Sequence, residues 1–315
     1  MSTALPATAA PTTGRPPRGP RGLTWTVLRL HRTALIVWCL ALAAATAVLI
    51  WMYAIGDEAR RGMSGCATPA TDGLPSCAAV DAITADETYS AFLGLITTSL
   101  SYVIFPVAAW AGGALIGREL ESGTARLAWT QSVTPARWLA AKLAAPAVVL
   151  TAGTGGLLLV NLWARQDDDP NLVGDWYLPD VFLATGPTAV AYPLAGLALG
   201  ALAGLLWRRA LPAAGVGFAV TLALYNVLER YRDRLWPTAT RSEQGEFELP
   251  RSAWQQDWDI TWGRYPGEGT PVSTSATFHP RSHYWPLQYV ETGIVLAVAA
   301  AATLAAFRLL RRRMP

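Results

Sequence analysis

Apolar residues come in six long blocks along this chain: Thr33–Ile55, Ala91–Ile116, Leu143–Trp163, Ala184–Trp207, Ala210–Leu228 and Gln288–Phe307. Each meets or approaches the roughly 20 residues that a helix needs to cross a bilayer core. Only the last block carries a charge, Glu291. It sits about one turn from the block's outer end, where a carboxylate is expected to snorkel to the interface. The pattern predicts an all-α, polytopic membrane protein with six transmembrane helices. Ahead of the first span, Gly22–Arg32 reads as an amphipathic interfacial helix. Leu23, Val27 and Leu30 share one face, and Arg29 and Arg32 can reach headgroups.

The second block contains Pro106, which predicts a kink. The fourth carries Gly196, Gly200 and Gly204 at every fourth position, a smooth ridge where another helix can approach closely. That ridge serves internal packing or a subunit interface. The fifth block follows Arg208 and Arg209 directly, so spans four and five form a tight hairpin.

Charge sets the orientation. Fifteen of the twenty-five Lys and Arg residues fall in the N-terminal, 2–3, 4–5 and C-terminal segments, against three in the short segments of the other class. The remaining seven lie in 229–287, too long to count in the positive-inside rule. Both termini are therefore expected in the cytoplasm, and the net charge of +3 reports orientation rather than nucleic-acid binding. Lys142 is the sole lysine, and the Ala, Gly and Pro content is that of a high-GC bacterial genome. The expected compartment is the bacterial plasma membrane. Residues 1–21 read as a disordered cytoplasmic tail, and 22–315 as one six-span domain with a large external segment, 229–287.

In that external segment Trp254, Trp258 and Trp262 recur at helical spacing. A helix with this stripe would lie on the membrane surface or cover an opening. Cys66 and Cys77 share the first external loop, where a disulfide is permitted and would contribute roughly 2–3 kcal/mol of local order. Cys39 lies within the first span. His279 and His283 have a metal-compatible spacing, but Pro280 disfavours a helix between them, and no metal is expected.

The densest cluster of charge, Gly and Thr is Gly117–Arg126, between the second and third blocks. The second span is expected to continue through Arg118, Glu119 and Glu121. Ser122-Gly123-Thr124 breaks it, with Ser and Thr capping the next helix. Ala125–Ser132 reads as that short surface helix. Thr134-Pro135 supplies an N-cap and an N1 proline for the third span. Arg137 and Lys142 fall in its first turns, placed to anchor at headgroups. Such a loop can receive force from a soluble partner.

This loop resembles that of the permease subunits of type-2 ABC transporters, and its wording Leu127–Val133 resembles an actinobacterial branch. The matching residues are Arg118, Glu119, Glu121, Gly123, Thr124, Pro135, Arg137 and Lys142. The resemblance implies a coupling helix between spans two and three, with contact to an ATPase partner through Arg118, Glu119, Glu121, Gly123, Thr124, Arg126, Gln131, Arg137 and Lys142. It implies separate ABC ATPase subunits that use ATP and Mg, and a second permease subunit in a homo- or heterodimer. The chain itself has no GxxxxGK[ST] phosphate loop. Gly153-Thr154-Gly155-Gly156 lacks the lysine and lies inside a span. No cofactor and no enzymatic activity of its own are expected. No ionisable group stands at mid-membrane to drive a proton- or sodium-coupled carrier. The reading is an exporter permease in the lipid bilayer. The alternative is an integral membrane enzyme or sensor working through the Trp-rich external segment.

Overall fold

The computed structural model describes residues 22–63, 85–131, 133–165, 170–245, 247–262 and 271–313. The N-terminal tail, Cys66, Cys77 and Asp167–Asp169 lie outside the described residues. Among the described residues, six helices are long and apolar enough to cross a membrane: Arg32–Ala59, Glu87–Glu121, Pro135–Ala164, Thr188–Trp207, Ala210–Arg234 and Arg281–Arg312. These are spans 1 to 6. An interfacial helix, Leu23–Leu30, precedes them. Val27 is buried on the bundle side, whereas Leu30 and Trp25 are exposed.

Span 4 is the centre of the bundle, packed against spans 2, 3, 5 and 6. Its glycine ridge is used internally. A Cβ at Gly196 would come within 2.7 Å of the Ile104 carbonyl oxygen, and one at Gly204 within 2.7 Å of Ile116 Cβ. A Cβ at Gly200 would collide with the Ala108 carbonyl. Span 5 closes on the same surface, with Gly112 of span 2 against the Ala213 carbonyl. Backbones meet directly here, which favours helix association where the solvent supplies no hydrophobic drive.

Span 2 is interrupted twice. Its helix breaks at Val103, where Pro106 has no N–H to return to the Tyr102 carbonyl. Further on, Ala111–Gly117 is a π-helix, ending with Arg118 N–H bonded to the Gly113 oxygen. Such bulges are rare and concentrate at functional sites. This one directly precedes the charged loop. The loop marks one end of the bundle, the loop end; the other is the sheet end.

The sheet end corrects two expectations. Residues of 229–287 form a three-stranded antiparallel sheet in the order β1-β3-β2, with β1 Ala239–Gln244, β2 Trp254–Trp262 and β3 Pro271–His279. The tryptophans are on a strand, not a helix. A spacing of four is also even, so it fits a strand as well. The alternation Trp258-Asp259-Ile260-Thr261-Trp262 is the period-two signal that decides it. A register shift between Gln255 and Asp257 then sets Trp254 opposite His279 and Trp258 opposite Ala276, positions of opposite parity on β3. Trp254 packs on Trp176 and Tyr177, and Trp258 on Phe247. The fold is nearly all-α rather than wholly so.

The second correction concerns Glu291. It does not snorkel but is fully buried. Arg232 at the end of span 5 donates to it from Nε at 2.7 Å and Nη2 at 3.1 Å, and Tyr192 of span 4 donates at 2.7 Å. The Arg232 guanidinium also lies 4.5 Å from the Phe182 ring centre. This cluster ties spans 4, 5 and 6 together. His279 and His283 are not on one helix; they face each other at 3.1 Å between Nδ1 atoms, and His279 Nε2 meets the Asp233 carbonyl at 2.8 Å. No group of three or more metal-ligating side chains occurs among the described residues.

Candidate functional site

At the loop end, span 2 runs on as helix to Glu121. Ser122 keeps right-handed helical backbone, and Gly123 then takes φ 76°, ψ 0°. A side chain there is strained by the left-handed backbone rather than by crowding, since nothing lies within 4 Å of its would-be Cβ. A short loop helix, Thr124–Thr130, comes next. Its N-cap is Gly123, with no side-chain cap. Ser122 and Thr124 do not cap it as expected. They face back instead: Thr124 Oγ1 donates to the Glu119 carbonyl at 3.3 Å, and the two hydroxyls pair at 3.0 Å. Both serve the C-terminus of span 2, whose last carbonyls need donors.

Span 3 starts as expected. Pro135 is its first residue, and Thr134 Oγ1 accepts from Arg137 N at 3.3 Å. The start is earlier than the apolar block suggests, because Trp138 and Leu139 are buried against the loop.

Glu119 of span 2 and Lys142 of span 3 form an ion pair, with side chains 14% and 4% exposed. Lys142 is thus not a headgroup anchor. A buried lysine without a partner would be costly, and Glu119 supplies one. Trp138 Nε1 donates to the other Glu119 oxygen at 3.1 Å. Lys142 Nζ also approaches His31 Nε2 at 3.4 Å. An ammonium has only donors, so His31 Nε2 accepts and the ring proton is on Nδ1. Burial first, then the Lys142 ammonium, push the His31 imidazole down to about 4, with Glu119 opposing. The ring stands edge-on to Trp110 at 5.3 Å, and Trp129 of the loop helix stands edge-on to Trp138 at 5.6 Å.

The other site residues divide in two. Glu121 is turned to the 4–5 hairpin, where its Oε2 accepts from Ala210 N at 2.8 Å and caps the start of span 5. Arg118, Arg126, Gln131 and Arg137 are exposed. Arg126 lines a small pocket with Arg208, Trp129 and Leu310. On the loop helix Ala125 is buried, while Leu127 is 60% exposed. The structure thus joins Glu119 and Lys142 into a brace and leaves an outward face of Arg126, Leu127 and Gln131. Sequence reasoning missed His31 and the Trp138 hydrogen bond. The signal for Trp138 was its position one helical turn before Lys142.

The decisive comparison is with family patterns: residues 24–232 match the family described as ABC-2 membrane transporter related. This match covers the loop, the first four spans and the fifth as far as Arg232. The chain belongs to that family. It is therefore an ABC-2 type permease, the membrane-spanning component of a transporter that works with an ABC ATPase subunit. No curated protein and no solved structure matches the chain. In this ABC-2 family member the braced loop lies wholly within the matched residues, whereas the sheet, from Ala239 onward, lies entirely beyond them.

Proposed function

We propose that this permease is half of an ABC exporter of the bacterial plasma membrane, with both termini cytoplasmic. It would pair with a second permease, the same or different, and be driven by ATP hydrolysed on separate ATPase subunits. The loop helix would be the coupling element. One observation carries this reading: exposed Leu127 stands on a short helix whose inner side is fastened to spans 2 and 3. Trp129 leans on Trp138, Trp138 bonds Glu119, and Glu119 pairs with Lys142. A push on Leu127 and Arg126 would enter both spans together. Glu121 would pass it to span 5 through Ala210. Away from their ends the spans present mostly apolar surface, which suits an amphiphilic or hydrophobic cargo.

The test is reconstitution of the permease with its ATPase, measuring ATP turnover and substrate movement. Leu127→Glu should insert and fold as wild type yet lose permease-dependent stimulation at least tenfold. Asp259→Asn on the exposed face of β2 should change nothing. Full stimulation in Leu127→Glu with loss in Asp259→Asn would move the functional surface to the sheet end.

A further inference from the structure

Two cavities meet beneath the interfacial helix. One, of about 830 Å³, opens at the loop end and is lined by Thr26, His31, Arg118, Glu119, Ser122 and Lys142. The other, of about 360 Å³, is lined almost wholly by apolar side chains, among them Leu35, Trp38, Pro106, Val107, Ala145 and Leu150. They share Val27, His31, Ala34 and Trp110 as a common wall. Together they make one cleft between the interfacial helix and spans 1, 2 and 3, with a polar mouth and an apolar slot.

Its dimensions and charge select an occupant. Both volumes fall in the range of ligand pockets, about 300–1,000 Å³. The cleft extends from Arg118 to Val103 along span 2, about 22 Å at 1.5 Å per residue, which matches one leaflet of a bilayer about 40–45 Å thick with its headgroups. At the mouth, Lys142 and Glu119 cancel, His31 is held neutral by accepting from Lys142, and Arg118 remains. The Arg118 side chain is exposed and has no hydrogen-bond or ion-pair partner among the described residues. The mouth therefore carries one net positive charge, the complement of a phosphodiester.

We propose that this cleft is a binding site for a resident anionic phospholipid, its phosphate on Arg118 and one acyl chain in the slot. The lipid would fasten the interfacial helix to the spans that carry the charged loop. The site lies on the face of spans 1–3, apart from the ridge where spans 2, 4 and 5 close. It does not depend on the ATPase partner, so it stands or falls separately from the coupling proposal.

Native mass spectrometry of the full chain in mild detergent tests it, titrating with phosphatidylglycerol and phosphatidylcholine of the same chains. One phosphatidylglycerol per chain should be retained over phosphatidylcholine. Arg118→Gln should cut that preference about tenfold, the loss of one charge-assisted hydrogen bond. Arg311→Gln, an exposed arginine outside the cleft lining, should leave it unchanged. Ala145→Trp, or the milder Val149→Phe should the first fail to fold, should displace both lipids by filling the slot. Glycerol phosphate, which has the anion but no chains, should not compete. Equal preference in the Arg118 and Arg311 variants, retention in a folded slot-filled variant, or competition by glycerol phosphate would each overturn the proposal.

Discussion

Glu119 holds the loop end with its two oxygens, one on Lys142 and one on Trp138. A buried pair of this kind is unforgiving of single losses, because removing one charge strands the other. Glu119→Leu or Lys142→Met alone should each cost about 3–5 kcal/mol, whereas the double variant should cost less than the sum. Thermal unfolding in detergent, read as a double-mutant cycle, checks this; strict additivity would deny the coupling. His31 adds a pH dependence. Its ordinary value of 6.5 is depressed to about 4 in the fold. Between those values the unfolded chain takes a proton that the folded chain refuses, so stability falls as pH drops from 6.5 towards 4. Above 6.5 the His31 contribution no longer changes with pH. His31→Gln should flatten that part of the profile relative to wild type, and two superimposable profiles would remove His31 from the account.

At the scale of elements, the small-residue ridge makes the sharpest claim. Gly200 touches the Ala108 carbonyl through space that any side chain would occupy. Gly200→Val should force spans 2 and 4 apart and lower stability by at least the roughly 1–3 kcal/mol of an overpacked core. Gly215→Val, with nothing within 4 Å of its would-be Cβ, is the control. Equal stability of the two variants would refute close packing at the ridge.

The six helices were legible because a long uncharged block has few other solutions in a membrane. The turn at Gly123 and the Thr134-Pro135 start were legible for local reasons, since their chemistry lies within four residues. What escaped was long-range or period-ambiguous. The brace joins residues 23 apart in sequence, and nothing local in Glu119 names Lys142 as its partner. Glu291 and Arg232 are 59 apart, and from sequence that carboxylate was expected at the interface rather than on a buried cation. The π segment leaves no pattern beyond its glycines. The sheet was hidden because tryptophans four apart fit both periods, and the shift at Gln255 cannot be read from composition.

For the molecule as a whole, orientation decides whether the loop helix can meet an ATPase at all. Both ends of the bundle carry arginine, but they are used differently. At the sheet end Arg232 is buried on Glu291, and Arg165 is buried with donors to Thr97 Oγ1 and the Val173 carbonyl. Such arginines are consumed by the fold and say little about headgroups or translocation. At the loop end Arg118, Arg126, Arg137, Arg208 and Arg311 remain exposed, and under the proposed orientation these are the charges that would face the cytoplasm. Of the three arginines counted on the opposing side, Arg165 is thus tied up by the fold; Arg232 lies in the long segment left out of that count. In a background with the native cysteines replaced, single cysteines at Ser122 and Arg311 should stay unlabelled by membrane-impermeant maleimide on intact cells. A cysteine at Glu243, exposed on β1, should label fully. Permeabilisation should open the first two sites. Labelling of Ser122 on intact cells, with Glu243 protected, would invert the protein and put the braced loop beyond reach of any cytoplasmic ATPase.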